Sequence, residues 1–210
     1  MKRSMRILCT ALAILIIGVM DARAIEEATY TVEKKDGRFE IRAYAPHILA
    51  ETVVEGTLEE AGDKAFSRLF RYISGENRSR DNVAMTAPVS QEPAGQKIKM
   101  TAPVGQQRAQ EKWAISFMMP ASYTLATLPV PMDPQVTLRQ VPARRMAAVR
   151  YSGFWSEKNY LRYKSALESW IHEKRLTRAG DPVWARYNPP FTPWFLRRNE
   201  ILIPVDGAVE

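Results

Sequence analysis

Hydrophobic and polar residues alternate along two stretches of the chain that lie 97 positions apart. The stretch 39–56 aligns without gaps on the stretch 136–153. Each contains a β-rich run, a turn with a proline (Pro46 or Pro142) and a second run that ends at a glycine. A period of two predicts strands whose side chains alternate between the two faces of a sheet. We therefore predict a β-hairpin in each stretch and a chain built of two repeated units.

A helical pattern follows each predicted hairpin at the same offset. Apolar residues spaced at i, i+3, i+4 and i+7 predict a first helix over about 57–74, stopped by Gly75, and a second over about 156–175, stopped near Gly180. We expect Phe66, Phe70 and Ile73 to form the core face of the first helix. The repeated apolar positions are Phe66, Leu69, Phe70 and Ile73 in the first helix and Tyr163, Ala166, Leu167 and Trp170 in the second.

Short strand-like runs complete each unit: KIKM and WAISFMM after the first helix, and PVWARY and EILIPV after the second. The segments QQRAQEK and PASYTLATLPVPMDP are expected to be connections, the second of them between the units. Two units with one helix each cannot cover both faces of their strands, so they must pack together around a cleft or open barrel. We predict an α+β fold with a single domain over 25–210, built of pseudo-twofold repeats at about 30–119 and 134–205.

The first 24 residues are predicted to be a signal peptide that precedes the fold. Lys2, Arg3 and Arg6 come before an apolar run over 7–20, and Ala22-Arg23-Ala24 is an A-x-A cleavage site. The apolar run is shorter than the about 20 residues that a membrane-spanning helix needs, although an uncleaved anchor is the alternative. We expect a periplasmic or secreted protein with no stable membrane anchor after cleavage.

Loss of this segment changes the charge and the cysteine content. The net charge falls from 30 − 23 = +7 to 26 − 22 = +4, because four basic residues and one acidic residue are removed. The only cysteine, Cys9, is lost with them, so no disulfide or thiol chemistry is expected. A charge of +4 over 186 residues is a poor argument for a nucleic acid partner, and none is expected.

The pentapeptide MTAPV occurs twice, at 85–89 and at 100–104. Proline has no N–H to donate to a strand ladder, so Pro88 and Pro103 belong at a strand start, an edge or a bulge. The two copies are therefore expected to be matching edges of an irregular hairpin. Two roles stay open: the motif methionines fill the core, or the copies border a cavity and contact a ligand.

The doubled MTAPV, the earlier FEIRAY and the late YNPPFTPWFLRRNEILIP together resemble the SOUL haem-binding protein family over about 30–205. The resemblance implies duplicated βαββ-type units whose antiparallel sheet forms a distorted open barrel with two main helices. It also implies non-covalent binding of haem or another tetrapyrrole, with a carrier or buffer role. The architecture is also similar to the effector-binding domains of multidrug-responsive regulators. A binding module for other amphipathic small molecules is therefore the alternative.

A haem site needs flat apolar contacts for the macrocycle and cations for the two propionates. The proline-rich tail carries aromatic residues, Phe191, Trp194 and Phe195, followed by Arg197 and Arg198. The alternative is a lid over the sheet, with the arginines in structural pairs. The resemblance implies a ligand between the first helix and this tail. The matching residues are Ala65, Arg68, Leu69 and Tyr72 on the helix, and Tyr187, Pro190, Phe191, Trp194 and Arg197 on the tail.

No iron ligand is singled out by the sequence. Some members of the family place a histidine in the IR-x-Y string, where this chain has Ala43. His47 is the metal-ligand candidate, and His172 is expected to be solvated near a helix C-terminus. Other residue types that can coordinate haem iron are present as Tyr44, Tyr72, Tyr187 and the motif methionines.

Catalytic motifs are missing from the predicted mature chain. It has no cysteine nucleophile, no G-x-S-x-G, no H-E-x-x-H, no phosphate-binding loop and no His/Cys metal spacing. We expect a binding protein; hydrolysis or haem degradation by an isolated carboxylate is one alternative, and an interaction protein with a closed cleft is another. A cationic ligand would need a buried carboxylate in the cleft, for which Glu51 and Glu200 are the candidates.

Overall fold

The structure is a computed structural model that describes residues 25–80 and 95–207. Within them the chain forms two α-helices, one 3-10 turn and twelve strands. The helices are α1 (Leu58–Ser74) and α2 (Glu157–Glu173), and the 3-10 turn is Trp194–Leu196. The strands are β1 (Tyr30–Asp36), β2 (Phe39–Tyr44), β3 (His47–Val54), β4 (Asn77–Arg78), β5 (Val104–Ala109), β6 (Lys112–Met118), β7 (Val130–Pro131), β8 (Thr137–Val141), β9 (Arg144–Tyr151), β10 (Thr177–Arg178), β11 (Val183–Arg186) and β12 (Asn199–Asp206). The predicted signal peptide lies outside the described residues.

Ten of these strands form one antiparallel sheet in the order β1-β2-β9-β12-β11-β5-β6-β3-β8, with β10 paired to the end of β12. β4 and β7 form a separate pair. The large sheet curls strongly into a half-barrel, so the predicted α+β fold with an open barrel and two main helices is confirmed. In the part of the chain described, no helix is both long and apolar enough to cross a membrane.

The strand order has an internal symmetry. If β1 is left out, the order reads the same from either end once the corresponding strands of the two predicted units are exchanged: β2 with β8, β3 with β9, β5 with β11 and β6 with β12. The centre of this order is the antiparallel pair β11 and β5. Two fused copies of one unit would give this order, but the duplication itself stays a prediction.

The hairpins predicted around Pro46 and Pro142 are wrong. β2 pairs with β1 and β9, whereas β3 pairs with β6 and β8, so the two runs joined by Ala45 and Pro46 share no ladder. β8 and β9 are likewise apart in the sheet. A period-two pattern identifies a strand without naming its partner, and a proline bends the chain without imposing a hairpin turn.

Two shorter predictions also differ from the structure. QQRAQEK is no connection but the hairpin of β5 and β6, and KIKM forms no strand. Gln106 shows why the first was misread. Its side chain is buried because its amide group donates a hydrogen bond to the carbonyl oxygen of Leu58 at 2.6 Å. A buried polar residue that is satisfied by the start of a helix looks like a surface residue in the sequence.

Helix α1 has the predicted ends but a different buried face. Thr57 caps it through reciprocal hydrogen bonds with Glu60, and Gly75 ends it at a φ of +123°. Phe70 is 47% exposed, so the prediction that it belongs to the core face is wrong. Phe66 is half-buried and packs against the core, and Ile73 is buried. The buried face comprises Leu58, Ala61, Gly62, Ala65, Leu69, Tyr72 and Ile73.

The sheet has one face covered by both helices and an opposite face with a smaller cluster. The helix-covered core includes Leu69, Ile115, Leu167, Trp184 and Ile201. The buried residues of the opposite cluster are Tyr44, Met146, Ala148, Ala185 and Leu202. Since side chains alternate along a strand, β11 directs Trp184 and Arg186 to the helix side. This places a charged side chain beside α1.

Candidate functional site

A cleft of about 450 Å³ opens between α1 and the segment that follows β11. This volume is within the range of about 300–1,000 Å³ that small-molecule sites occupy. Helix α1 forms one wall, the proline-rich segment 187–191 forms the other, and the sheet forms the base. The residues of the helix wall are Gly62, Asp63, Phe66 and Ser67; those of the base are Val104, Gln106, Ile115 and Arg186, with Trp155 beside them.

Apolar surface is exposed on both walls of the cleft. Phe191 is 86% exposed, and Phe66 is half-buried opposite the segment that carries it. Tyr187 and Pro190 complete the predicted loop residues that line the cleft. Of the residues expected on the tail, the structure therefore brings together Tyr187, Pro190 and Phe191.

The other two predicted tail residues support the loop from outside the cleft. Trp194 is half-exposed and stacks on Phe154, with ring centroids 5.3 Å apart. The Arg197 guanidinium donates hydrogen bonds to the carbonyl oxygens of Thr192 and Pro190, at 2.7 and 2.6 Å, and lies over the ring of Trp155. Arg197 is thus occupied with holding the loop shape.

The predicted helix residues do not line the cleft. Ala65, Leu69 and Tyr72 are at most 1% exposed and face the core, so they offer no surface to a ligand. Arg68 points away to Thr52, to which it donates a hydrogen bond at 2.8 Å, and to Asp133, whose carboxylate is 3.2 Å away. The helix residues that the family resemblance implies therefore lie on a different face of α1 from the residues that line the cleft.

Arg186 is the site residue that the sequence analysis missed. Its Nη2 donates to Oε1 of Gln106 at 2.6 Å, while its Nε is buried without a hydrogen-bond partner. Its guanidinium lies 4.0 Å from the ring centroid of Trp184 and 5.2 Å from that of Trp155. Burial lowers the pKa of Arg186 to about 10, which leaves it charged at neutral pH. The sequence offered one indication: Arg186 lies two residues after Trp184 in a short predicted strand, so both side chains face the same side of the sheet.

The two carboxylates considered for a cationic ligand are already paired. Glu200 is fully buried, and its oxygens accept from Arg42 at 2.7 Å, from Arg198 at 3.0 Å and from the hydroxyl of Tyr187 at 3.0 Å. Burial favours the neutral acid, but the two arginines outweigh it and hold the pKa of Glu200 below its usual value.

Glu51 belongs to a different pocket. It pairs with Arg139 at 2.8 Å and lines a pocket of about 70 Å³ on the opposite face of the sheet. Neither Glu51 nor Glu200 is therefore an unpaired carboxylate in the cleft.

None of the named histidines or tyrosines is poised to coordinate a metal in the cleft. His47 lines the smaller pocket, and burial lowers its pKa; His172 is exposed on α2. The hydroxyls of Tyr72 and Tyr187 donate to Pro129 and Glu200, and burial raises both pKa values. Tyr44 accepts from Arg42, and burial raises its pKa to about 12. Within the described residues there is no cluster of three or more His, Cys, Asp or Glu suited to a metal ion.

The second MTAPV copy borders the cleft, while the first lies outside the described residues. Met100, Thr101, Ala102 and Val104 line the cleft, and Met100 is 39% exposed. The hydroxyl of Thr101 donates to the carbonyl oxygen of Met118. The second copy therefore offers the Met100 thioether and the start of β5 to the cavity. It borders a cavity, as one of the two roles left open by the sequence expects.

Sequence comparison connects this chain with haem-binding proteins. A sequence model of the SOUL heme-binding protein family matches residues 25–204. Heme-binding protein 1 of Xenopus tropicalis is 26% identical over 172 residues, which cover 80% of this chain and 84% of the relative. Heme-binding protein 1 of Mus musculus is 25% identical over 170 residues, with 80% and 84% covered.

Comparison with solved structures shows the same fold at low identity. A hydrolase from Listeria innocua superposes with a TM-score of 0.56 at 12% identity and covers 83% of this chain and 94% of its own. The EcmrR C-terminal domain gives a TM-score of 0.53 at 11% identity, with 85% and 99% covered. At these identities the likeness concerns the fold alone.

Proposed function

This chain belongs to the SOUL heme-binding protein family, and on that premise we propose that it binds haem non-covalently in the cleft between α1 and segment 187–191. Haem as a bound ligand is supported by the family and by the Heme-binding protein 1 relatives. The observation that carries the choice of site is apolar surface held open on both walls of one cavity, with Phe66 on one side and Phe191 on the other.

The cleft residues supply what a tetrapyrrole needs from a protein. Phe66 and Phe191 offer flat apolar contacts, and burial of one such side chain contributes about 1.5–3 kcal/mol. Pro189 and Pro190 restrict the backbone of the loop wall, so less conformational entropy is lost when a ligand orders it. Haem would bring its iron and two carboxylates; the chain supplies apolar enclosure and orientation.

A binding role is favoured over catalysis. The family is named for haem binding, and the Listeria neighbour called a hydrolase is related by fold alone. We further propose that the protein acts as a haem carrier or buffer in the cell envelope, because the first 24 residues have the pattern of a signal peptide. The open cavity argues against an interaction protein whose cleft has closed.

A module for cationic amphipathic molecules would need a buried carboxylate in the cleft, and neither candidate supplies one, while Asp63 on the helix wall is exposed. Glu200 is neutralised by Arg42 and Arg198, and Glu51 is paired with Arg139 outside the cleft. The charge at the base of the cleft is instead the half-buried cation Arg186. This sign of charge suits a ligand with carboxylates.

The test is a titration of the purified protein with ferric and with ferrous haem. The Soret band and tryptophan fluorescence are followed, and a protein of similar charge serves as the control. We expect a saturable one-to-one change. Unsaturable changes equal to those of the control protein would show that haem is not the ligand of this cleft.

A further inference from the structure

We propose that Arg186 is the residue that binds a carboxylate in the cleft. Haem would enter with one propionate directed to the base of the cleft, where this propionate pairs with Arg186. This inference rests on the proposed function and adds a requirement to it, namely a ligand with a free carboxylate. The requirement comes from the geometry of one side chain, Arg186.

Arg186 is half-buried, and its hydrogen bonding is incomplete. Guanidinium has five N–H donors, and one of them is used on Gln106 at 2.6 Å. The buried Nε has no partner, and within residues 25–80 and 95–207 no carboxylate lies within 4.0 Å of the group. The nearest negative charges that act on it are Asp63 and Glu59. A half-buried cation whose Nε is shielded from water and has no counter-charge costs free energy that an incoming anion would offset.

The protein fixes the direction of this guanidinium. Gln106 is itself held by the carbonyl oxygen of Leu58 at the start of α1, at 2.6 Å. The indole rings of Trp184 and Trp155 lie near the guanidinium, with centroids at 4.0 and 5.2 Å. Gly62 leaves space where a side chain would meet Nη1. Such support from helix, strand and rings is typical of a preorganised binding group.

The chemistry of the receptor points to a carboxylate on an apolar, planar ligand. Arginine presents paired N–H donors that match a carboxylate in a bidentate manner. The walls beside it are apolar and aromatic, with Phe66 and Phe191 exposed to the cavity. A porphyrin with propionates has both features. The inward position separates this contact from the arginines of the tail, since Arg197 and Arg198 already bond loop carbonyls and carboxylates.

The experiment compares haem with its dimethyl ester, in which both carboxylates are masked, at one fixed detergent concentration. Tryptophan quenching is measured for the wild type, Arg186→Met, Arg186→Lys and Arg150→Met. Arg150 is an exposed residue of β9 whose position along the strand places it on the other face of the sheet, so it controls for net charge. Thermal unfolding checks that each variant is folded; replacing a buried charge by an apolar side chain is often tolerated.

We expect the wild type and Arg150→Met to bind the free acid at least about tenfold more tightly than the ester, the scale of one charge-assisted hydrogen bond. Arg186→Met should bind both ligands equally, and Arg186→Lys should regain part of the preference. If the wild type binds the ester and haem with Kd values within twofold of each other, the inference is wrong. This outcome does not depend on whether the variants fold. A wild-type preference that persists in Arg186→Met would equally overturn it. Failure of the wild type to bind haem at all would instead refute the proposed function.

Discussion

Gly62 on α1 faces the guanidinium of Arg186, and a Cβ built on Gly62 would lie 3.0 Å from Nη1. Arg186 has little freedom to withdraw, because Gln106 bonds it and two indole rings flank it. Gly62 is thus part of the site, because the absence of a side chain there leaves room for the Arg186 guanidinium at the base of the cleft.

Gly62→Ala should therefore lower haem affinity with little change in stability. Alanine is favoured over glycine in a helix by about 1 kcal/mol, which offsets the crowding of the guanidinium. Displacement of Arg186 should weaken haem binding by about tenfold, as loss of one charge-assisted bond would. Urea unfolding and haem titration measure the two effects. Ser74→Ala is the matched control, because Ser74 is exposed on the same helix and does not line the cleft. An unchanged affinity in Gly62→Ala would contradict the prediction.

Phe191→Ala should weaken haem binding and leave the fold intact. The side chain is 86% exposed, so its removal leaves no cavity in the core. If bound haem covers the ring, its loss costs about 1.5–3 kcal/mol of binding free energy, or about 10- to 150-fold in Kd. Leu196→Ala is the control, because Leu196 is 64% exposed in the same tail and does not line the cleft. Equal effects of both variants would move the ligand away from the Phe191 wall.

The fold could be predicted from local patterns because alternation and helical periodicity arise from the elements themselves. Strand partners could not, since β2 has the same pattern whether it pairs with β3 or with β9. The face of α1 was misjudged for a similar reason. Its apolar residues form two adjacent stripes, one through Ala65 and Leu69 and one through Phe66 and Phe70, and only packing decides which stripe is buried.

The parts of the site that consist of residues adjacent in the sequence could be predicted. The proline-rich segment with Tyr187, Pro190 and Phe191 predicts an exposed, rigid aromatic loop. In the structure all three residues line the cleft. Arg186 was not predictable, because its importance depends on Gly62 and Gln106, which lie 124 and 80 positions away in the chain. Partial burial without a counter-charge is a tertiary property that no local motif encodes.

Glu200→Gln should strongly destabilise the fold. Glu200 is fully buried between Arg42 and Arg198, and loss of its charge leaves the buried Arg42 without its main partner. Breaking a buried ion pair in this way costs about 3–5 kcal/mol. Glu76→Gln, which breaks an exposed pair with Arg71, should cost less than about 1 kcal/mol. Urea unfolding at neutral pH distinguishes them, and similar losses in the two variants would refute the claim.

The same carboxylate should contribute to acid sensitivity. The pKa of Glu200 is lowered in the folded state, since the two arginines outweigh the effect of burial. Its stabilisation is therefore fully present above the unfolded pKa of about 4.3 and is lost as the pH falls through the folded value. The stability of the wild type should fall more steeply below this pH than that of Glu200→Gln. Parallel pH profiles of the two proteins would show that Glu200 does not titrate with unfolding.

Arg68→Met should reduce stability without affecting haem binding, contrary to the role that family resemblance implies for Arg68. Its side chain joins Thr52 to Asp133 on a side of α1 that is turned from the cleft. Loss of a hydrogen bond that involves a charged group costs about 1.5–3 kcal/mol, whereas haem affinity should stay within about twofold because the sites are independent. Asp133→Asn should show a smaller loss of the same kind. A tenfold weaker haem complex in Arg68→Met would restore Arg68 as a ligand contact.

Removal of the iron should change the affinity little. The described residues that line the cleft include no histidine or cysteine, and the hydroxyl of Tyr187 is held by Glu200. Met100 is the soft donor at the edge, and a single thioether is a weak ligand for ferric iron. Metal-free protoporphyrin IX should thus bind within about tenfold of haem, since apolar enclosure and the propionates carry the free energy. Met100→Leu is the check on coordination: its ferric and ferrous Soret bands should match those of the wild type. A protoporphyrin complex more than a hundredfold weaker than the haem complex would mean that the protein coordinates the iron.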